Sequence, residues 1–175
     1  SHMVTIVIPF RAEAAKSRLP ESIRARLAEA MLDDVRRACE PQGDVVVAGG
    51  AGGQGEAVAE MLARVEGPVA IVNADLPCAT ADDIAALIAQ AAARVCGLNL
   101  IAALKLACGG SLDRVSYCLR LGGFVNCTPN FPSIPQVING ASDLMHELFG
   151  AHGDHARTAV GVANLPRGAA VEVDA

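Results

Sequence analysis

Three short β-branched runs, Val4-Thr-Ile-Val-Ile-Pro9, Asp44-Val-Val-Val-Ala48 and Val69-Ala-Ile-Val-Asn73, are separated by two segments whose apolar residues recur at helical spacing. This alternation constrains the chain more than any other feature. A strand, a helix and a further strand in succession close as a parallel crossover unit, and such sheets collect their ligands beyond the carboxyl ends of the strands. The first helix is expected over Glu21 to Glu40, with Ile23, Leu27, Ala30, Met31, Leu32 and Val35 on its buried stripe and Pro41 and Gly43 ending it. The second runs through Val58, Met61, Leu62 and Val65, behind the glycine-rich loop Gly49 to Gly55, and Gly67-Pro68 closes it.

From Thr80 the pattern changes. Thr80 is an N-cap before Ala81-Asp-Asp, and Ile84, Leu87, Ile88, Ala91, Val95, Leu98 and Ala102 continue one helix from 81 to about 107. At 1.5 Å per residue that is ~40 Å, long for a small domain, with Gly97 as a bend or a point of close packing. Val115 to Val125 reads as a strand, Asn130 to Pro135 as a loop and Val137 to Phe149 as a helix weakened by Asn139-Gly140. Ala156 to Val162 and Ala169 to Asp174, joined through Asn164-Leu-Pro-Arg-Gly168, read as an antiparallel pair. The fold class expected is α/β: a parallel β-α-β-α-β half joined through a long helix to an α+β half.

Composition narrows the function classes. With 175 residues, 52% hydrophobic and 19% charged, the chain forms a core and holds one domain or two cramped ones. Ser1-His2-Met3 reads as the remnant of a cleaved tag. No run of 18 apolar residues suggests a membrane span, and no signal-peptide pattern follows, so the expected location is cytoplasmic. The six cysteines include no CxxC pair and are expected as buried free thiols. Residues 1 to 88 carry 13 acidic and 8 basic side chains, and residues 89 to 175 carry 6 of each. Neither half has the basic footprint of a nucleic-acid or anionic-membrane binder.

Three segments of the first half carry candidate chemistry. Arg11, Lys16 and Arg18 gather three cations in the loop after the first strand, suited to phosphate oxygens. Gly52, Gly53, Gln54 and Gly55 let backbone amides approach a ligand just before a helix begins, without the spacing of a Walker motif. Asp75 follows the third strand directly, where a carboxylate can hold a hard divalent cation.

Taken together, Ile8-Pro-Phe-Arg11, Lys16-Ser-Arg-Leu19, Ala30-Met-Leu-Asp-Asp-Val35, Gly52-Gly-Gln-Gly-Glu-Ala57 and Val72-Asn-Ala-Asp-Leu-Pro77 resemble the 2-phospho-lactate guanylyltransferases, nucleotidyltransferases of Rossmann-like fold. The resemblance covers residues 3 to 88. It implies that Arg11, Lys16 and Arg18 face the phosphates of GTP, with Lys16 also catalytic, and that the loop from Gly52 to Glu56 lines the guanosine. It further implies that Asp75 holds Mg²⁺ while a phosphorylated small acid attacks the α-phosphorus. The family's acceptor segment and second metal-binding carboxylate have no counterpart here.

The remainder resembles another family. Ala92-Ala-Arg-Val-Cys-Gly-Leu-Asn99, Leu112-Asp-Arg-Val115, Gly123-Phe-Val-Asn126, Asn139-Gly-Ala-Ser-Asp-Leu144, Phe149-Gly150, His155-Ala-Arg-Thr-Ala-Val-Gly-Val162 and Leu165-Pro166 are similar to the C-terminal portion of the RidA/YjgF enamine/imine deaminases, from Ala91 onward. That resemblance implies a sheet packed on two helices and an active site between the subunits of a trimer. Within it Arg157 would bind a substrate carboxylate bidentately and Glu172 would assist a water, without a cofactor. His146, His152 and His155 lack metal-ligand spacing and are expected at the surface. The two resemblances imply a chimera of two halves, 4 to 88 and 89 to 175, joined within the long helix. The function expected is a guanine-nucleotide-binding, guanylyltransferase-like protein impaired by its missing acceptor half. The alternatives are a RidA-like deaminase or ligand-binding trimer, and a chimera without native activity.

Overall fold

A computed structural model of the chain describes residues 4–10, 20–49, 54–74 and 79–175. It is a mixed α/β structure with two separate three-stranded sheets, and it divides into two compact units at Ile84 and Ala85.

The first unit holds β1 (Val4–Pro9), α1 (Glu21–Cys39), β2 (Gly43–Ala48), α2 (Gln54–Leu62) and β3 (Val69–Ile71). Its strands are all parallel, in the order β2-β1-β3, with Val4 opposite Gly43 and Thr5 opposite Val69. Ile6, Val7 and Ile8 of the central strand are fully buried, which explains why β1 is apolar at successive positions instead of alternating. Ala28, Met31, Val35, Ala38 and Cys39 form the buried stripe of α1, whereas Ile23 and Leu27, also expected on that stripe, are exposed. The third strand is shorter than expected. It ends at Ile71, although the amide of Val72 still donates to the carbonyl of Val7 at 3.0 Å.

α3 (Ala81–Ala107) runs unbroken at the expected bounds. Thr80 and Asp83 start it with a reciprocal cap: Thr80 Oγ1 accepts from the Asp83 amide at 3.2 Å, and Asp83 Oδ2 accepts from the Thr80 amide at 2.8 Å. These contacts, the backbone one first, hold the Asp83 carboxyl below its ordinary range. The composition-based expectation of no membrane-length span needs correction. By length and composition alone α3 could cross a membrane, and only 17% of its most apolar 18-residue window is buried. Leu87, Val95, Leu98 and Leu106 form an exposed apolar row along it.

The second unit adds β4 (Arg120–Asn126), α4 (Ile134–Phe149), β5 (Ala156–Val162) and β6 (Val171–Asp174). Two expectations fail here. The strand starts at Arg120, because Ser111 caps a short 3-10 turn over Leu112–Arg114 and the Cys118 amide donates to His152 O at 2.8 Å outside the sheet. β5 and β6 are not a hairpin either. The order is β5-β4-β6, with β5 parallel and β6 antiparallel to β4. The connection after β5 carries the chain to the far side of β4, where Asn126 binds the carbonyls of Ala169 and Ala170 through its side chain and amide.

α3 and α4 cover one face of this sheet. Leu121 and Val125 of β4 and Val171 of β6 meet Ala93 of α3 and Val137, Ile138, Ala141 and Met145 of α4. Gly140 does not weaken α4; it is the point where α4 touches α3. A Cβ there would lie 2.0 Å from the carbonyl oxygen of Gln90. Gly97 likewise marks close packing, since its added Cβ would lie 3.0 Å from Leu144 Cδ2. Beyond this contact Arg94 forks onto Glu147, with Nη1 donating to Oε1 at 3.1 Å and Nη2 to Oε2 at 2.5 Å. The described cysteines carry no disulfide, and of these only Cys39 is buried; Cys96, Cys108, Cys118 and Cys127 are half-buried.

Two outcomes follow from this packing. Gly140→Ala destabilises the second unit by about 1–3 kcal/mol, because the obstructing atom is backbone and cannot rotate away; denaturant unfolding measures it. The Arg94 hydrogen bonds hold the Glu147 carboxyl below its ordinary range. A lowered carboxylate stabilises above its unfolded value and stops doing so as pH falls through its folded value. The melting-temperature gap between wild type and Glu147→Gln therefore narrows on acidification.

Candidate functional site

Of the residues expected around GTP and Mg²⁺, Arg11, Lys16, Arg18, Gly52, Gly53 and Asp75 lie outside the described residues. Gln54, Gly55 and Glu56 form the first turn of α2, and Gly55 and Glu56 are exposed. No group of three potential metal ligands gathers among the described residues.

The second unit does bring functional side chains together, around Arg157. This residue is the second of β5 and lies opposite Leu121, so strand alternation turns it to the face that carries α4. There Nη1 donates to Asn139 Oδ1 at 2.5 Å and to Ser142 Oγ at a longer 3.4 Å. Asn139 and Ser142 are three apart and share one side of α4, beside the face that Ile138, Ala141 and Met145 bury. Nη1 is thereby saturated. Among the described residues the Nε and Nη2 groups have no hydrogen-bond partner, and no carboxylate pairs with Arg157. Two other arginines of this unit pair with acids, Arg94 with Glu147 and Arg120 with Asp174, while Arg114 donates to the Cys108 carbonyl. An exposed guanidinium with one edge fixed and its Nε–Nη2 edge open has the geometry for a bidentate carboxylate.

His155 belongs to the same cluster, which corrects its assignment to the surface. It is half-buried, with Nδ1 2.6 Å from the carbonyl oxygen of Gly153 and Nε2 3.0 Å from Ser142 Oγ. A carbonyl only accepts, so Nδ1 carries the proton, and Nε2 of the neutral ring accepts from the Ser142 hydroxyl. Gly153 is placed by packing. A Cβ on it would meet the carbonyl oxygen of Met145 at 2.2 Å, so only glycine lets this turn lie against the end of α4. A continuous path results from the Gly153 carbonyl through His155 and Ser142 to Arg157. His146 and His152 are exposed as expected; the first bonds Asp154 at 2.9 Å and the second lies beside Tyr117.

Glu172 is not part of this cluster. It sits on β6, across β4 from β5, and its position opposite Phe124 turns it to the other face of the sheet. Its charge is felt at Cys96, whose thiol is pushed up first by burial and then by Glu172, and whose Sγ lies 3.5 Å from the carbonyl oxygen of Val171. Ser142 and Asn139 were missed in the sequence. The signal that could have found them is a pair of polar residues at helical spacing, facing a His-x-Arg pair at strand spacing.

Burial is the main reason the Cys96 thiol is raised, and Glu172→Gln removes the smaller, electrostatic part of that effect. Alkylation of Cys96 near neutral pH, followed by mass spectrometry, then runs faster than in the wild type.

The family described as "YjgF/chorismate_mutase-like, putative endoribonuclease" matches residues 75–171. Protein TCP17 of Trypanosoma cruzi is 54% identical over 87 residues, which are 49% of this chain and 54% of that protein. The chain thus spans about half the length of the curated relative it matches. The crystal structure of protein Atu1372, of unknown function, from Agrobacterium tumefaciens is 43% identical with a TM-score of 0.50, over 50% of this chain and 56% of that one. A "putative endoribonuclease" from Shewanella oneidensis MR-1 is 36% identical with a TM-score of 0.49, over 50% and 58% of the two chains.

The family match overturns the guanylyltransferase reading. The family match extends N-terminal of Ala91 through the start of α3, and it includes Asp75, the carboxylate which that reading gave to Mg²⁺. The nucleotidyltransferase resemblance of the preceding segments does not carry the function.

Proposed function

Because this chain belongs to the YjgF/chorismate-mutase-like family, whose model spans more than half of it, we propose that its second unit is a RidA-like enamine/imine deaminase site built on Arg157. The observation that carries the reading is the guanidinium itself. Its Nη1 edge is held by Asn139 and Ser142, and its other edge is open to a ligand. The substrate class is a small carboxylate whose adjacent carbon bears the imine, so that anchoring the carboxylate places the reacting carbon over the site.

The site is completed in a homotrimer, as the family resemblance implies. Two surfaces support assembly: the apolar row of α3, and the sheet face turned away from α3 and α4, where Val160 is 40% exposed. RNA cleavage, which the family description mentions, is not the reading adopted. The second unit carries six acidic and six basic side chains, without the net positive surface on which RNA binding depends.

The test uses a 2-imino acid formed in situ from alanine by an amino-acid oxidase, with decay of the imine followed by absorbance. Wild type accelerates the decay. Arg157→Ala loses about 100-fold in kcat/KM, the worth of a charge-assisted pair at about 1.5–3 kcal/mol, mainly through KM. Arg157→Lys recovers only part of it, because an ammonium cannot match both carboxylate oxygens in plane. Equal decay with wild type and with Arg157→Ala overturns the proposal. Sedimentation equilibrium at the mass of three chains supports the trimer, and a monomer counts against it.

A further inference from the structure

We propose that the exposed face of α3 is a two-fold contact, through which two copies of this chain pair their α3 helices in antiparallel fashion. The contact lies on the side of α3 turned away from the core that Ala93 joins, and Arg157 plays no part in it, so it stands or falls apart from the deaminase reading. Being two-fold, it adds to the three-fold assembly proposed above, for which the sheet face remains.

Three observations carry it. The first is the apolar row itself. Leu87, Val95, Leu98 and Leu106 are 49%, 56%, 50% and 81% exposed, and Ala91 and Ala102, exposed as well, lie between them. The row spans ~28 Å of helix at 1.5 Å per residue. A contiguous apolar strip of this kind marks an interaction surface.

The second is the order of residues along the row. Read from either end, the steps are four, four, three, four and four residues, and the side chains run large, small, large, large, small, large. An antiparallel copy therefore meets the row in register, with Leu87 opposite Leu106 of the second copy, Ala91 opposite Ala102 and Val95 opposite Leu98. A patch that is its own complement under a two-fold rotation is what an isologous dimer requires. The alanine pairs let the backbones approach, and the larger side chains fill the space on either side. Because the steps average more than 3.6 residues, the row slants across α3 and the helices cross at Val95 and Leu98.

Charge is the third. α3 carries only Asp82, Asp83, Arg94 and Lys105 as charged residues. Parallel pairing would stack each of these on its own copy. In the antiparallel register Arg94 lies opposite Asn99, and Lys105 lies opposite Ile88, toward the acidic end that carries Asp83. The helix dipoles oppose as well. Length and composition alone would also let α3 cross a membrane. Halfway along it, however, Arg94 is forked onto Glu147 of α4, and Ala93 packs into the core beneath the helix. A charged pair at that depth is costly in lipid, which leaves a second copy as the occupant.

The experiment is sedimentation velocity on the full chain over roughly two decades of concentration. It compares wild type, Val95→Lys, Leu98→Glu and an equimolar mixture of the two variants, each first checked by thermal melting. Wild type shifts with concentration to a species of at least twice the mass of its most dilute form, whatever number of chains that form holds. Either variant alone loses the shift, because a charge then faces the apolar row. The mixture regains it: the introduced ammonium of one chain faces the introduced carboxylate of the other, while the remaining Leu98 and Val95 meet across the two-fold axis. If one of the variants does not fold, Leu87→Glu with Leu106→Lys takes their place. A wild-type mass that does not rise with concentration overturns the contact, and so does a rise that both variants retain. Variants that lose the shift alone and do not recover it when mixed overturn the antiparallel pairing. Flotation of wild type with phosphatidylcholine and phosphatidylglycerol vesicles, without a rise in mass, gives the row to a membrane and overturns it too.

Discussion

The second unit depends on one close approach, where Gly140 of α4 lies against the Gln90 carbonyl of α3. A Cβ at that point would lie 2.0 Å from the Gln90 carbonyl oxygen and force the helices apart, while the small Ala93 and Ala141 also belong to the core they share. With the helices at this distance Arg94 reaches Glu147, and Ile138 lies directly on Gly123, another position where a Cβ would collide. The same seating fixes the rotation of α4 about its axis. That rotation aims Asn139 and Ser142 at β5.

Local electrostatics explain why the open guanidinium is tolerated. Arg157 is exposed, so its charge stays hydrated, and the neutral oxygens of Asn139 and Ser142 orient it without neutralising it. An acidic partner would have satisfied the charge and closed the site. Asn and Ser instead fix direction while leaving the positive field available to an anion.

What the sequence disclosed, and what it withheld, divides by the range of the interaction. The bounds of β1, α3 and β5 were legible because β-branched runs and a capped helical stripe are local signals. The Thr80–Asp83 cap needs only three residues of separation. The false strand over Val115–Leu119 had the right residue types, yet its backbone pairs with the turn at His152, which no local pattern records. The hairpin expectation for β5 and β6 failed for a similar reason: proximity in sequence favoured it, whereas the register with β4 decided the outcome. Within the site, Arg157 was legible through its motif. Ser142 and His155 were not, because their hydrogen bond joins a helix to the residue preceding a strand, and only the turn packed under Gly153 brings them within reach.

The order β5-β4-β6 has a further consequence for handling the protein. Each outer strand pairs on one side only among the described residues, and β5 presents a free ladder of amides and carbonyls along Ala-Arg-Thr-Ala-Val-Gly-Val. Its latter half carries no charge and no proline, the devices that discourage foreign strands from docking. Seen this way, β5 is a template as well as a scaffold. Chains held at high concentration without their proper neighbours would add strand to strand along this border, and Arg157 near its start is the one charge that interrupts it.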